Sequence, residues 1–219
     1  MGKTLEIQSD LKKYIESIKP REHDLLKELR EKTLELEQGI MMSPPDQVDF
    51  LCFLMKLLKP KRILEIGTFT GYFTLAMALA TSEDCLITTC DLDQSWTDLG
   101  KSFWGKANVA HRIELKLGQA LNFLKSEARR VYDFIFIDAD KINYKHYLDL
   151  SLTIISDCGL IVVDNIFWGG RVFDEKFKDF QTESIRAFNQ SVLNIKDIEY
   201  SILPIGDGLL FISKKRTIK

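Results

Sequence analysis

Lys61-Arg62-Ile63-Leu64-Glu65-Ile66-Gly67-Thr68-Phe69-Thr70-Gly71 is the stretch on which the fold turns. Residues 63–66 read as a short apolar strand that carries Glu65 near its end and stops at Gly67. Gly71 follows, and an apolar helical run with Leu75, Ala76, Leu79 and Ala80 begins directly after it. Glycines let a backbone approach a ligand closely, and the unpaired N–H groups of a helix N-terminus attract anionic groups. The spacing Glu-x-Gly-x-x-x-Gly differs from the Gly-x-Gly-x-x-Gly that wraps a dinucleotide pyrophosphate. Taken alone, the stretch fits a ligand-binding loop and also an ordinary strand-to-helix turn.

Working outward, apolar strands recur at 86–90, 113–117, 134–137 and 160–163, separated by helical stretches near 71–81, 95–107, 119–129 and 143–156. Near-continuous apolar strands joined by helices indicate a parallel sheet covered on both faces. A long amphipathic helix is expected over 175–193, and strands 197–203 and 208–213 then flank Gly206-Asp207-Gly208, a hairpin signal. Upstream, the first sixty residues read as helical. Leu11, Tyr14, Ile15 and Ile18 make one apolar face ended by Pro20, and Leu25, Leu26, Leu29 and Leu36 line a second helix. Pro45 suits the first turn of a third helix with Phe50, Leu51, Leu54, Leu57 and Leu58, closed by Pro60. The expected organisation is one domain over 1–219: residues 1–60 as a helical lid or dimer region, residues 61–219 as an α/β core.

At 219 residues the chain can bury a sizeable core. Its net charge of −2 gives no broad pull toward nucleic acid or anionic lipid. Apolar runs are too short and interrupted for a membrane span. The N-terminal residues, with Lys3, Glu6 and Asp10, lack the apolar core of a signal peptide. Cys52, Cys85, Cys90 and Cys158 form no Cys-x-x-Cys pair and mostly sit in apolar segments, which reads as reduced, buried thiols. The expectation is a cytoplasmic protein with no nucleic-acid or membrane partner.

In doubly wound sheets, ligands bind at the carboxyl ends of the strands. There the chain places Glu65 and Gly67, then Asp91, then Gly118-Gln119-Ala120, then Asp138-Ala139-Asp140-Lys141, then Asp164-Asn165. Acids gathered on one rim repel one another unless they meet cations or hydrogen-bond donors. Asp91 suits a ribose diol, because a carboxylate accepts from both hydroxyls, whereas Asp93 suits a helix N-cap. Asp138, Asp164 and Asn165 are hard oxygen donors from adjacent strand ends, which favours Mg²⁺, Mn²⁺ or Ca²⁺ over Zn²⁺; an Asx turn is the plain alternative for Asp164-Asn165. His23, His111 and His146 have no metal-ligand spacing. Lys141, three residues after Asp138, reads either as a solvated lysine or as a base whose ammonium form a neighbouring dication disfavours.

Five segments occur in order: Met41-Met42-Ser43-Pro44-Pro45-Asp46-Gln47, Leu64 to Tyr72, Ile137-Asp138-Ala139-Asp140-Lys141, Val163-Asp164-Asn165-Ile166-Phe167-Trp168-Gly169-Gly170, and Leu203-Pro204-Ile205-Gly206-Asp207-Gly208. Together they resemble the cation-dependent O-methyltransferases of the caffeoyl-CoA and catechol type, over nearly the whole chain. The resemblance implies a class I, Rossmann-like fold: a seven-stranded sheet with an antiparallel last strand, helices on both faces and extra N-terminal helices. It implies S-adenosylmethionine bound by Ser43, Glu65, Gly67, Thr68, Tyr72, Phe73, Asp91, Gln119, Ala120 and Asp140. Asp138 is shared with a divalent cation that Asp164 and Asn165 complete. Lys141 matches the general base, Trp168 and Gly169 the acceptor wall. The implied acceptor is a small catechol-like molecule or a hydroxycinnamoyl thioester, and the implied assembly a homodimer. Two positions depart from the family pattern. Phe73 stands where relatives often carry Ser or Thr, so backbone N–H groups must hold the methionine carboxylate. Gln47-Val48-Asp49 replaces a Gln-Gly-Gln or Glu-Gly-Gln segment. The rival readings are a nicotinamide-dependent dehydrogenase and a non-catalytic S-adenosylmethionine-binding protein.

Overall fold

The chain folds first into helices α1 (Ser9–Ile18), α2 (Asp24–Leu34) and α3 (Pro45–Leu58), and then alternates strand and helix. The alternating part runs β1 (Arg62–Ile66), α4 (Tyr72–Ala80), β2 (Leu86–Asp91), α5 (Gln94–Lys106), β3 (Ile113–Leu117), α6 (Ala120–Ser126), β4 (Tyr132–Ile137), α7 (Tyr144–Ile154) and β5 (Ile155–Val163). Helix α8 (Phe180–Val192) and the hairpin of β6 (Ile198–Leu203) and β7 (Leu209–Lys214) complete it. This computed structural model describes residues 9–126 and 131–215. The far end of the helix expected over 119–129 and the N-terminal residues Lys3 and Glu6 lie outside the described residues.

The seven strands pair in the order β3-β2-β1-β4-β5-β7-β6. The first five are parallel, and β7 runs antiparallel to both β5 and β6, as expected. Alternate strand residues face opposite sides of a sheet. Leu64, Ile66, Ile135, Ile137, Ile161 and Val163 therefore pack with Tyr144, Leu148 and Phe188 on one face. Ile63, Ile87, Phe134, Phe136 and Val162 pack with Leu29, Leu51, Met55, Leu75 and Phe103 on the other. Each fully buried aliphatic or aromatic side chain contributes roughly 1.5–3 kcal/mol.

Register decides where the chemistry sits. Ile66 lies opposite both Cys90 and Ile137, and Ile137 opposite Val163. The next residue on each strand, Gly67, Asp91, Asp138 and Asp164, thus falls on one rim. Gly67 has φ +102°, and a Cβ there would lie 1.9 Å from the Asp138 carbonyl oxygen. Only glycine lets β1 and β4 close together at this level.

Several boundaries differ from the sequence reading. Helix α2 ends at Leu34, so Leu36 lies beyond it. Strand β5 begins at Ile155, directly after α7, because the chain passes from helix to strand without a loop. Helix α8 begins at Phe180, not near 175, because Asp179 caps it: its carboxylate accepts from the Thr182 N–H at 3.0 Å. On α1 the apolar face read from the sequence is largely uncovered: Tyr14, Ile15 and Ile18 are exposed. No disulfide joins the cysteines among the described residues; Cys85 and Cys90 are buried, whereas Cys158 is exposed on β5, contrary to expectation. Among the described residues, no helix is long and apolar enough to cross a membrane.

Candidate active site

The carboxyl ends of β1, β2, β4 and β5 open into a cavity of about 850 Å³. The N-terminal region closes one side with Ile40, Met41, Met42 and Ser43, and Trp168 and Gln181 stand at another. Two clusters of polar groups occupy the rim.

The first is built on the loop after β1. Asp91 Oδ2 accepts from the backbone N–H groups of Thr68, at 2.9 Å, and Phe69, at 2.7 Å, and Oδ1 accepts from Asp93 N–H at 2.9 Å. Asp93, as expected, caps α5. Phe69 packs edge-on against Trp96, which also lines the cavity. The Thr68 hydroxyl turns toward Thr89. Tyr72 is buried and donates its hydroxyl to Glu22, itself clasped by Arg30. That contact and burial raise the Tyr72 hydroxyl's pKa, burial being the larger cause. The Phe73 ring packs against Phe136 with centroids 4.7 Å apart. Gln119 is exposed at the cavity edge, and Ala120 is buried at the start of α6.

Glu65 forms the floor. It is 1 % exposed and accepts from the hydroxyls of Thr74 and Thr89. Burial pushes its carboxyl up to about 8 against those two hydrogen bonds, with the charges of Asp138 and Asp91 adding to the rise.

The second cluster centres on Lys141, which is 8 % exposed. Its ammonium donates to Asp138 Oδ1 at 2.9 Å, Asn165 Oδ1 at 2.6 Å and the Tyr144 hydroxyl at 2.6 Å. Three donors meet three acceptors. Tyr144 in turn donates to the Asp164 backbone carbonyl. Asp164 is 1 % exposed; Asn165 N–H donates to its Oδ1, and Gln47 Nε2 to its Oδ2. Burial, then the neighbouring charge of Asp138, raises the Asp164 carboxyl well above the usual carboxylate range. Asp140 is exposed, accepting from Tyr147 and Asn143.

Asp138, Asp164, Asn165 and Lys141 are thus gathered at one side of the cavity, with Trp168 beside them and its ring centroid 5.7 Å from Lys141 Nζ. Gly169 does not line the cavity; its N–H donates to Asp207 Oδ1 at 2.7 Å. Among the described residues, no three His, Cys, Asp or Glu side chains converge on one point. The oxygen set here is two carboxylates and an amide. His23 caps α2 through Nδ1, apart from the cavity.

Sequence reading missed Gln47, Tyr144, Tyr147, Trp96 and Asp207 as site residues. Tyr144 follows Lys141 by three residues and Tyr147 follows Asp140 by seven, helical spacings that bring each hydroxyl to its partner. Gln47 and Asp207 stood in the quoted segments, where Gly206 leaves room for Gln47: a Cβ at Gly206 would lie 2.2 Å from Gln47 Oε1. Nothing local marks Trp96.

The O-methyltransferase family profile matches residues 16–215. The chain is 37 % identical over 217 residues to a caffeoyl-CoA O-methyltransferase of Medicago sativa, covering 93 % of this chain and 88 % of that one. It is 35 % identical over 200 residues to the catechol O-methyltransferase domain-containing protein 1 of Mus musculus, covering 90 % and 76 %. Among solved structures it is similar to the SAH-bound methyltransferase of Podospora anserina, with a TM-score of 0.88 and 27 % identity over 99 % of this chain and all of that one.

Proposed function

The chain belongs to the O-methyltransferase family, and we propose that it transfers the methyl group of S-adenosylmethionine to one hydroxyl of a vicinal dihydroxy aromatic acceptor, in a divalent-cation-dependent reaction. The observation that carries the finer reading is the oxygen set at the cavity rim: Asp138 and Asn165 already hold one cationic group, the Lys141 ammonium, and buried Asp164 stands beside them.

The Asp91 side of the cavity suits the cofactor. Three backbone donors hold this carboxylate in place at the cavity, so it would meet a ribose already fixed in one orientation. Gly67, Thr68, Gln119 and Ala120 offer backbone around it, with Ser43 opposite and Asp140 at the edge. Phe73 has no hydroxyl and packs into the core, so the methionine carboxylate falls to N–H groups of the turn before α4. The hydroxyl of Tyr72 is engaged by Glu22, which leaves its backbone as the contribution to that turn. S-adenosylmethionine supplies the electrophilic methyl.

The donor chemistry at Asp138, Asp164 and Asn165 fits a hard cation: all oxygen, two of three from carboxyl groups, and a neighbouring acid pair, with Asp164 buried, whose repulsion a cation would relieve. Bound there, Mg²⁺, or Mn²⁺ or Ca²⁺, would stabilise negative charge on the acceptor's oxygens. A cation held by Asp138 and Asn165 would leave Lys141 with Tyr144 as its partner, and after losing its ammonium proton to solvent the neutral Nζ would take the acceptor's hydroxyl proton. Trp168, Met41, Met42 and Ile40 give the aromatic ring an apolar wall and exclude water from it.

Two further parts of the proposal concern assembly. Residues 1–60 serve as lid and dimer region, because Tyr14, Ile15 and Ile18 on α1 and Phe53 and Leu57 on α3 remain exposed in the single chain. A monomer mass by light scattering at micromolar concentration would remove the dimer. The setting proposed is the cytoplasm.

The test is turnover of labelled S-adenosylmethionine with a panel of catechols, hydroxycinnamoyl thioesters and matched monophenols. EDTA should abolish product and Mg²⁺ or Mn²⁺ restore it, and Asp138→Ala should be inactive while folded. Full activity in excess chelator would falsify the cation dependence. Equal turnover of catechol and monophenol would remove the paired-hydroxyl acceptor.

A further inference from the structure

The segment between β5 and α8 carries Trp168 into the cavity wall, and Gln181 in the first turn of α8 stands in the same wall. This segment is irregular: Asn165, Trp168, Gly169 and Gly170 all have positive φ, between 50° and 83°. Irregular backbone leaves carbonyls that no helix or sheet ladder satisfies. On α8, one side chain gathers four carbonyls of this segment, two of which, Arg171 O and Asp174 O, also accept a turn N–H. Arg186 Nε donates to Val172 O at 2.9 Å, Nη1 to Phe177 O at 2.7 Å, and Nη2 to Arg171 O and Asp174 O at 2.7 Å each. The remaining Nη1 donor meets the Glu183 carboxylate. All five guanidinium N–H groups are therefore used, four of them on the backbone of 171–177. The other end of the segment is pinned by Asn189, which donates to Ile166 O, and by Asp207, which holds the Gly169 N–H. Trp168 lies between the Ile166 and Gly169 pins, and the Arg186 grip begins two residues past Gly169.

We propose that Arg186 is a positioning residue for the acceptor: by fixing the backbone of 171–177 from a rigid helix, it sets the Trp168 wall and thereby which acceptor hydroxyl faces the methyl donor. This rests on the reading of the cavity as the site of acceptor methylation. Arg186 does not touch the cavity and acts only through the segment it holds. Lysine carries a charge of the same sign on a stem of similar length, but has three donors and no planar fork, so it cannot reproduce the four-carbonyl grip. Asp91 and the loop after β1 are not part of this grip, so cofactor affinity should be independent of it.

The experiment uses the full chain with S-adenosylmethionine, Mg²⁺ and a catechol whose two hydroxyls are inequivalent. Wild type, Arg186→Lys and Arg186→Ala are compared for acceptor KM, kcat, SAH affinity by calorimetry, and the ratio of the two monomethyl products. In Arg186→Lys, acceptor kcat/KM should fall by about 10–10²-fold, the scale of a misplaced reactant. The product ratio should move toward an even mixture, and SAH affinity should stay at the wild-type value. Millimolar guanidinium should shift the ratio of Arg186→Ala back toward wild type. Wild-type product ratio and acceptor KM in folded Arg186→Lys would overturn the proposal. So would an equal loss of SAH affinity, which marks a general structural role. If Arg186→Ala fails to fold, Arg186→Lys decides alone. A wild-type enzyme that methylates no catechol overturns the functional reading and this inference with it; an active wild type with an unmoved ratio overturns the inference only.

Discussion

Asp91 and Asp164 stand at the ends of two strands of one sheet, on one rim of one cavity, and they are held in opposite ways. Asp91 is fixed by three backbone N–H groups, two of them from the loop of the neighbouring strand. Asp164 receives one backbone N–H from its own neighbour and one amide from Gln47, a side chain 117 residues earlier on α3. The first arrangement follows from β1 and β2 pairing in register. The second also requires that α3 dock correctly and that Gln47 be buried in one rotamer. Asp91 is partly open to the cavity, whereas Asp164 is buried beside Asp138 and shifted toward its protonated form. The proposed cofactor side is thus set by local geometry, and the proposed cation side by long-range side-chain contacts in a low-dielectric setting.

That contrast can be broken at four places. The largest effect is expected at Lys141, whose three donors tie Asp138, Asn165 and Tyr144 together. Lys141→Met should lower kcat by about 10²–10⁴-fold, the usual contribution of a positioned base, while SAH affinity is unchanged. Wild-type kcat, with methyl transfer shown to be rate-limiting, would remove the base.

Glu65, on the floor between the two sides, gives a pH signature. Burial pushes its carboxyl up to about 8 from the ordinary 4.5, so the folded state holds the proton more tightly. Its contribution to stability is complete below about pH 4.5 and is lost as pH rises toward 8. The slope is at most about 1.4 kcal/mol per pH unit for one proton. Urea unfolding of the ligand-free protein at pH 5, 6.5 and 8 should show this fall, and Glu65→Gln should flatten it. Parallel profiles for the two proteins would exclude Glu65 as the source.

Asp91→Ala and Gln47→Leu form a crossed pair. Asp91→Ala should weaken SAH binding by roughly 1.5–3 kcal/mol for each charge-assisted hydrogen bond lost, and leave cation affinity alone. Gln47→Leu should do the reverse. Losing a partner that orients a metal-binding carboxylate costs about 10–100-fold in cation affinity or activity, with SAH affinity retained. Calorimetry with SAH and with Mn²⁺ reads both. If each variant weakened both ligands equally, the two sides would be one cooperative unit and the contrast would fail.

Much of the architecture was legible because its signals are local and periodic. Short apolar runs ended by acids or glycine marked β1 to β5, and Gly206-Asp207-Gly208 marked the hairpin. Boundaries that depend on a cap or on chain continuity were less legible. Asp179 starts α8 five residues later than amphipathicity suggested, and β5 begins as soon as α7 ends. The buried-thiol reading failed at Cys158, which β5 leaves exposed; its immediate neighbours, Ser156, Asp157 and Gly159, are not apolar. The family resemblance grouped Gly169 with Trp168 as acceptor wall, yet both have positive φ and the Gly169 N–H is engaged by Asp207, and Gly169 does not line the cavity.

The sequence by itself determined the strand ends, and with them the line of Gly67, Asp91, Asp138 and Asp164, because near-continuous apolar runs ended by a polar residue or glycine, paired in parallel register, leave little choice of where each strand stops. Only the tertiary structure decided who holds these groups. Gln47 reaches Asp164, Glu22 takes the Tyr72 hydroxyl, and Arg186 clasps the carbonyls of 171–177. Those contacts depend on how helices dock on the sheet and on single rotamers among several of similar energy, and such choices are settled by packing and burial across long sequence separations, where no local pattern records them.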